Sequence, residues 1–452
     1  MSLSEYCQSL KGKRILVMGL GVSNQPLVRV LLQHGLDVTG CDKRTEPDET
    51  LAQLAAMGLK LHLGEGYLEG VEGDVIFRTP GLHPDKLKAL LAGGAVLTSE
   101  METFLQLCPC PVIAVTGSDG KTTTTTLIAE MLKAAGRTVW VGGNIGTPLF
   151  DRVDAIRPDD VAVLELSSFQ LLTMRQSPHV AVVTNLAPNH LDIHRDMAEY
   201  IAAKENIFRY QTAGDRLVLN ADNDLTVASA ARAVAPVSWF SRRGPVQRGL
   251  WCDGEVIRRP DGSEVLRCGD ILLPGVHNIE NYMAAICAVE GLVPDEAVRR
   301  VARQFGGVEH RIELVRVKDG VRFYNDSIAS SPSRTMAGLR SFDQQVILIA
   351  GGADKHIPYD VLGPDLVEHV KAMVLVGPTA GAIRAAAEQA PGYAPGAPAI
   401  YEQTDFRAAV EQAASLARPG DVVILSPAST SFDRFRNFAE RGNVYKQIVK
   451  EL

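Results

Sequence analysis

The chain has no surplus of basic residues: 46 Lys and Arg stand against 53 Asp and Glu, a formal net charge of -7 over 452 residues. No nucleic-acid partner is expected, because no stripe of positive charge is present to meet a phosphate backbone. No apolar window approaches the length of a membrane span, and the opening MSLSEYCQSLKGKRILVMGLG lacks the basic, apolar and small-residue order of an export leader. No membrane insertion is expected, and a cytoplasmic location is. Cysteines number only seven, an odd count without zinc-ligand grouping, which fits reduced packing thiols and not a disulfide framework. Cys108 and Cys110, in CPCP, read as a loop, since C-P-C lacks redox-motif spacing. There is no internal repeat, and the only low-complexity run is the five threonines at 122–126.

What is present is a soluble globular balance, 46% apolar and 22% charged, in a chain long enough for two to four domains. RILVMGLG, DVTGCD and DVIFRTPG read as strands, with a helix from about Ser23 to His34 between the first two. PVIAVTGSDGK, TVWVGGNIG, VAVLELSS and VAVVTNL follow, and GVRFYNDS, QVILIAGG, AMVLVG and DVVILSPAS close the series. Short β runs alternating with helices imply an α/β fold of mostly parallel sheets with flanking helices. Pro and Gly in LQLCPCP and FGGVEHR place boundaries that give three domains, 1–102, 103–308 and 309–452. Near the end of the second, Asp-Gly turns in RRGPVQRGLWCDGEVIRRPDGSEV predict inserted hairpins.

The stretch VIAVTGSDGKTTTTTLIAEML, residues 112–132, joins an apolar strand to a helix through a glycine-bearing turn. Backbone N–H groups at a helix start and the positive end of its dipole hold phosphate oxygens. Gly117 and Gly120 let the backbone come close, with Ser118 and Asp119 between them; Lys121 reaches the outer phosphates, and Thr122 can ligate Mg2+. Thr123 belongs with the phosphates, and the later threonines begin the helix. Val115 stands where the usual G-x-x-x-x-G-K-[ST] pattern has its first glycine, which argues against an ordinary P-loop NTPase. Glu165 ends another apolar strand, where open parallel sheets place their chemistry, and its carboxylate suits a hard cation.

VTGSDGKTTTTTLI, GGNIG, LELSSFQL, TNLAPNHLDIH, AAKENIF and GVHNIENYMAA resemble, in order and spacing, the Mur ligases of peptidoglycan synthesis. Their ATP loop is of the shortened G-x-x-G-K-[ST] type. The resemblance covers the whole chain and implies three α/β domains: one for a UDP-sugar substrate, a central P-loop-like ATPase domain, and one for the incoming amino acid. It implies ATP and Mg2+ as cofactors, with Thr122, Glu165, His190 and Lys204 at the metal. On its own His190 reads as a loop histidine, with Asp192 and His194 as nearby alternatives, and Lys204 as a solvated helix lysine. In the resembling ligases the matching lysine is carbamylated by carbon dioxide, and a lysine pKa is movable enough for the neutral amine to react. Lys121, His190 and Lys204 are the implied catalytic set. Asn278, Asn281, Arg311 and Asp326 are implied on the adenosine side, where the two asparagines otherwise read as helix caps.

GLGVSN, with Asp42 about twenty residues on, is near a dinucleotide fingerprint but has Asn24 for the last glycine. By itself it fits an NAD domain, a UDP site or a plain strand turn. The family reading gives it to the UDP-sugar, with Val22, Ser23, Lys43, Arg44, Thr79, Gly81 and Asn144 along that ligand. YNDSIASSPSRT and LSPASTSFDRFRNFAERGNVY are similar to the members that add D-glutamate to UDP-N-acetylmuramoyl-L-alanine, which implies Ser330, Lys355, Ser431, Phe432 and Phe438 around the amino acid. Both phenylalanines fit a core equally well by spacing. Ile328 replaces a lysine common in relatives, and Asp119 an asparagine. The activity implied is ATP-dependent amide formation through an acyl phosphate in a closed cleft between domains, by a monomer. A folylpolyglutamate synthase, an NAD-dependent oxidoreductase and a non-catalytic nucleotide-binding scaffold are the competing readings.

Overall fold

The computed structural model describes residues 1–189, 193–354 and 357–452. Its first sheet is built from Ile15–Met18 (β1), Val38–Asp42 (β2), Lys60–Leu63 (β3), Val75–Arg78 (β4) and Val96–Thr98 (β5). All neighbours are parallel, in the order β3-β2-β1-β4-β5. The second sheet comprises Val112–Thr116 (β6), Val139–Gly143 (β7), Val161–Glu165 (β8), Val180–Val183 (β9), Arg216–Asn220 (β10), Val237–Ser241 (β11), Gly249–Cys252 (β12), Val256–Arg258 (β13) and Glu264–Arg267 (β14). Its order is β14-β13-β12-β11-β10-β9-β6-β8-β7. Pairing is parallel from β7 across to β12, and only the β12-β13-β14 ribbon, turned at Asp253-Gly254 and Asp261-Gly262, is antiparallel. The third sheet holds Glu313–Lys318 (β15), Val321–Asn325 (β16), Val346–Ala350 (β17), Val370–Val376 (β18), Ala399–Gln403 (β19) and Val422–Leu425 (β20), ordered β15-β16-β20-β17-β18-β19 with one antiparallel pair, β15/β16.

Strands β1, β6, β8, β17 and β20 are four- and five-residue apolar runs buried along their whole length, as expected where helices cover both faces of a parallel sheet. The chain divides into two compact units, Met1–Asp270 with Ile279–Ala302, and Ile271–Asn278 with Arg303–Leu452. Within the first, one apolar core runs from Leu3 and Phe77 through Phe104 and Phe150 to Leu164, Phe208 and Leu219, so the first two sheets share it. Arg78, at the end of β4 and 1% exposed, fastens this junction. Its guanidinium donates to the carbonyl oxygens of Leu82 (2.8 Å) and Phe169 (2.6 Å) and to Thr173 Oγ1 (3.1 Å). Burial lowers its pKa to about 10, so it stays charged at neutral pH.

Strand order reverses beside β1 and beside β6, and open α/β sheets bind ligands at the carboxyl ends of strands at such points. At the first, Gly19 adopts φ +88°, and a Cβ there would come within 2.5 Å of Thr79. Asn24 fills the place of the fingerprint's last glycine by donating Nδ2 to the Gly19 carbonyl at 2.8 Å. The Asp42 carboxylate accepts from the Leu20 N–H (2.7 Å) and from the Arg44 N–H and Nε (3.1 and 3.2 Å). Burial alone would raise this carboxyl; the two backbone donors and the Arg44 charge outweigh it and hold the pKa below the ordinary value. A lowered carboxyl pKa stabilises the fold fully above the unfolded value near 3.9 and loses that contribution as pH falls through the folded value. Asp42→Ala is accordingly expected to cost about 1.5–3 kcal/mol at pH 7 and much less near pH 2, measured by urea unfolding at the two pH values.

Candidate nucleotide and ligation site

Val115 lies inside β6, fully buried and paired with Glu165 of β8 on one side and Val182 of β9 on the other. The turn begins only at Gly117, so position 115 has no call for a flexible residue. Gly117 (φ +149°) and Gly120 (φ +77°) do: a Cβ on the first would collide with the Thr184 hydroxyl, and on the second with the Asn281 amide. Gly120 begins the helix Lys121–Ala134, which no side chain caps. That leaves the positive end of a fourteen-residue helix facing the turn. Thr122 and Thr123 are half-buried at its start, whereas Thr124 and Thr125 are fully buried, and Thr126 bonds back to the Thr122 carbonyl at 2.8 Å. The threonine run thus divides between a half-buried start and a packed continuation.

The loop is held from behind by the segment after β9. Asn185 accepts the Ser118 N–H through its carbonyl (3.0 Å) and the Asp119 N–H through Oδ1 (2.9 Å). Thr184 Oγ1 donates to the Asp119 carbonyl at 2.6 Å, and Ser118 Oγ lies 2.9 Å from the Tyr200 hydroxyl. Thr184, Asn185 and Tyr200 were not singled out from the sequence. The signal available was a polar pair directly after an apolar strand, and a tyrosine one helical turn before Lys204. A polar cleft of about 250 Å³ opens alongside, at the ends of β9, β10 and β11, with Asn185, Asn220, Asp222, Arg242 and Glu280 in its walls.

Two lysines meet at one carbonyl. Lys121 Nζ donates to the Gly117 and Ser118 oxygens (2.9 and 2.7 Å), and Lys204 Nζ to the same Gly117 oxygen (2.7 Å) and to Thr116 Oγ1 (3.3 Å). Lys204 is far from a solvated helix lysine. It is 2% exposed in the helix Met197–Arg209 and sits over the Tyr200 ring, 4.8 Å from its centroid. Burial first, then the Lys121 charge, lowers its pKa well below the ordinary lysine value. Glu165, also 2% exposed, accepts from Asn144 Nδ2 at 2.8 Å through Oε1, while its buried Oε2 has no hydrogen-bond partner among the described residues. Leaving a carboxylate oxygen so costs free energy unless a cation or donor arrives. No three His, Cys, Asp or Glu side chains gather as a metal set among the described residues. Of the expected set, Thr122, Glu165 and Lys204 come from elements around this loop, and His190 lies outside the described residues, as does the alternative Asp192. His194, the other alternative, is buried, 2.9 Å from Ser168 Oγ and stacked on Phe169.

Elsewhere in the first unit, Val22, Ser23, Lys43 and Gly81 are exposed and Arg44 and Thr79 half-buried about the carboxyl ends of β1, β2 and β4. With Asp42 engaged by Leu20 and Arg44, the acidic group that a dinucleotide ribose would need is already occupied, which weighs against the NAD reading. Asn144 is exposed just after β7, on the second sheet, where its side chain donates to Glu165. Asn281 accepts from Thr124 Oγ1 at 3.3 Å, a contact with the phosphate-loop helix.

The second unit carries the remaining candidates. Asn278 donates to the Pro274 carbonyl at 2.6 Å. Asp326, after β16, accepts from Ser426 Oγ (2.8 Å) and the Ile312 N–H (3.3 Å), and burial pushes its carboxyl up to about 7. Arg311 is exposed between His310 and Ile312, both at positive φ. Ser330 is half-buried and Ser431 buried. Phe432 is 71% and Phe438 38% exposed, which removes the core reading for both. Arg441, which the sequence did not mark, is buried and donates to the carbonyls of Ser327, Ser429 and Thr430, fixing the loops that carry Ser330 and Ser431. Lys355 lies outside the described residues.

Residues 115–289 match the family described as Mur ligase middle domain, and 310–429 that described as Mur ligase, glutamate ligase domain. A UDP-N-acetylmuramoylalanine–D-glutamate ligase of Acetivibrio thermocellus is 51% identical over 461 residues, covering 100% of this chain and 99% of that protein. Its namesake from Clostridium novyi is 46% identical with the same coverage. Among solved structures, a UDP-N-acetylmuramate–alanine ligase of Thermotoga maritima superposes with TM-score 0.59 at 17% identity, over 97% of this chain and 99% of that one. A UDP-N-acetylmuramoyl-L-alanyl-D-glutamate–2,6-diaminopimelate ligase gives 0.58 at 19%, over 97% and 92%; at these identities the likeness concerns the fold. With half of its residues shared along its full length, this chain belongs to the Mur ligase family.

Proposed function

We propose that the chain is an ATP-dependent ligase that joins the amine of D-glutamate to the carboxylate of UDP-N-acetylmuramoyl-L-alanine, a step in peptidoglycan precursor synthesis carried out in the cytoplasm by a monomer. The names of its full-length relatives support the substrates. The observation that carries the chemistry is the phosphate loop backed by a buried lysine amine, with a carboxylate at the end of the adjoining strand whose second oxygen has no hydrogen-bond partner among the described residues. The three-domain division at 1–102, 103–308 and 309–452 is part of the same proposal, one sheet lying in each.

In this reading the loop N–H groups and Lys121 take the β- and γ-phosphates, with Asn278, Asn281, Arg311 and Asp326 on the nucleoside side. Burial favours the unprotonated Lys204 amine, which adds to the carbon of carbon dioxide; the N–C bond forms, an N–H proton leaves, and a neutral amine becomes an anionic carbamate. Glu165, Thr122, His190 and the Lys204 carbamate would then hold Mg2+. The partnerless Glu165 oxygen fits that group, and an ammonium at 204 would not. Bound there, Mg2+ neutralises the repulsion between phosphate and carboxylate. The acceptor carboxylate displaces ADP from the γ-phosphoryl, the D-glutamate amine attacks the resulting acyl phosphate, and the tetrahedral intermediate expels phosphate. Lys121 stabilises the transferred charge. Lys355, Ser330, Ser431, Phe432 and Phe438 receive D-glutamate, and Val22, Ser23, Lys43, Arg44, Thr79, Gly81 and Asn144 the UDP-sugar. ADP formation with UDP-N-acetylmuramoyl-L-alanine should depend on D-glutamate in a panel of amino acids. Equal turnover with L-glutamate or L-lysine contradicts the assignment.

A further inference from the structure

Cys252 ends β12 and Cys268 follows β14, yet their sulfurs lie 3.3 Å apart across the antiparallel ribbon. Cys252 is buried and Cys268 half-buried, so Cys268 is the more accessible residue of the pair. The surroundings fix both. The Gly254 N–H points at Cys252 Sγ at 3.4 Å, and the Cys268 N–H donates to the Glu255 carbonyl at 2.8 Å. Both residues lie within the first unit, on a ribbon that includes none of the candidate ligand-binding residues. Two thiols in contact from segments sixteen residues apart are arranged for ring closure without a change of register.

We propose that Cys252 and Cys268 form a dithiol–disulfide couple that reacts with low-molecular-weight disulfides. The Cys268 sulfur, as thiolate, attacks one sulfur of R–S–S–R; a mixed disulfide forms and R–S⁻ leaves. The Cys252 thiolate attacks the Cys268 sulfur, closing the intramolecular bond and expelling the second R–S⁻. The two thiol protons go to the two departing thiolates, so the chain is oxidised by two electrons and the small disulfide is reduced to two thiols. Either sulfur of a hydrogen-bonded pair can carry the first thiolate, and the less buried Cys268 is the one a small disulfide reaches first. Cys268 hydrogen-bonding to Cys252 lowers the first proton loss of the pair, and once one thiolate exists its charge raises the second. Closure would staple β12 to the turn Cys268–Asp270 and constrain the unfolded chain over that loop. Cys108 and Cys110, 3.6 Å apart but separated by a single proline, are the internal comparison.

The test uses the full-length protein incubated with oxidised glutathione, quenched by alkylation and mapped by peptide mass spectrometry. The expected result is loss of both alkylatable thiols at 252 and 268, a peptide pair joined through them, and full recovery with dithiothreitol. In Cys252→Ser the same treatment should leave Cys268 as a stable mixed disulfide with glutathione. A persistent alkylatable thiol at both positions, or crosslinking confined to Cys108 and Cys110, overturns the proposal. Mapping on the unaltered chain decides the matter even if the serine variant folds poorly.

Discussion

Lys204→Met should lower kcat for ADP formation by about 10²–10³-fold, the loss typical when one preorganised charge-stabilising group is removed, and should at the same time raise the protein's stability at pH 7. The two effects come from one cause. Burial and the Lys121 charge depress the folded-state pKa of Lys204 below 10.5, so the unfolded chain binds a proton that the folded chain releases. Folding therefore works against that proton at every pH below the unfolded value, and stability rises with pH between the folded and unfolded pKa values. Methionine fills similar volume without the amine, and the Gly117 carbonyl keeps its bond from Lys121. The gain in melting temperature should be largest at acid pH and vanish above about pH 10.5, the ordinary lysine value. Carbonate labelled with carbon-13 should give a carbamate resonance in the unaltered protein and none in the variant. A variant that keeps full activity, or carbon dioxide depletion without effect on rate, would remove Lys204 from the scheme.

Glu165→Gln is the second large effect. The amide still accepts from Asn144 through its oxygen, so the local structure persists while the negative charge next to the loop disappears. A hard cation held by oxygen ligands loses one anionic partner, and both kcat and apparent Mg2+ affinity should fall, kcat by about 10²-fold or more. The check is ADP formation titrated with Mg2+. An unchanged Mg2+ dependence alongside unchanged kcat would mean that the partnerless oxygen serves packing only. Because a buried charge without a full set of partners is costly, the variant is expected to unfold no more easily than the parent.

The α/β architecture was legible because the central strands are unbroken apolar runs: β6 and β8 could be read directly from VIAVT and VAVLE. The Asp-Gly turns likewise announced the β12-β13-β14 ribbon. Sheet edges were not legible. β3 and β19 are largely solvent-touched, β5 has three residues, and β15 alternates with charged residues, so none presents a continuous hydrophobic signal. The phosphate loop could be found from its glycines and lysine. The environment of Lys204 could not be read from composition, since a helix lysine is ordinarily solvated. It became buried because Tyr200 and Lys204, four residues apart on one helix face, both turn toward the loop. Arg441 was hidden for the same reason: its role lies in carbonyl oxygens that folding gathers, and these leave no residue pattern.

Arg78 and the continuous core beneath it bear on how the first unit comes apart. Its guanidinium ties the last residue of β4 to the Phe169 carbonyl and the Thr173 hydroxyl, and the apolar cluster passes from Leu3 to Leu219 without a break. The first sheet and the phosphate loop therefore belong to one cooperative melting unit. Cutting the chain after residue 102 would strip apolar cover from the ATP segment and strand a buried cation's partners, so a shortened protein starting there should aggregate.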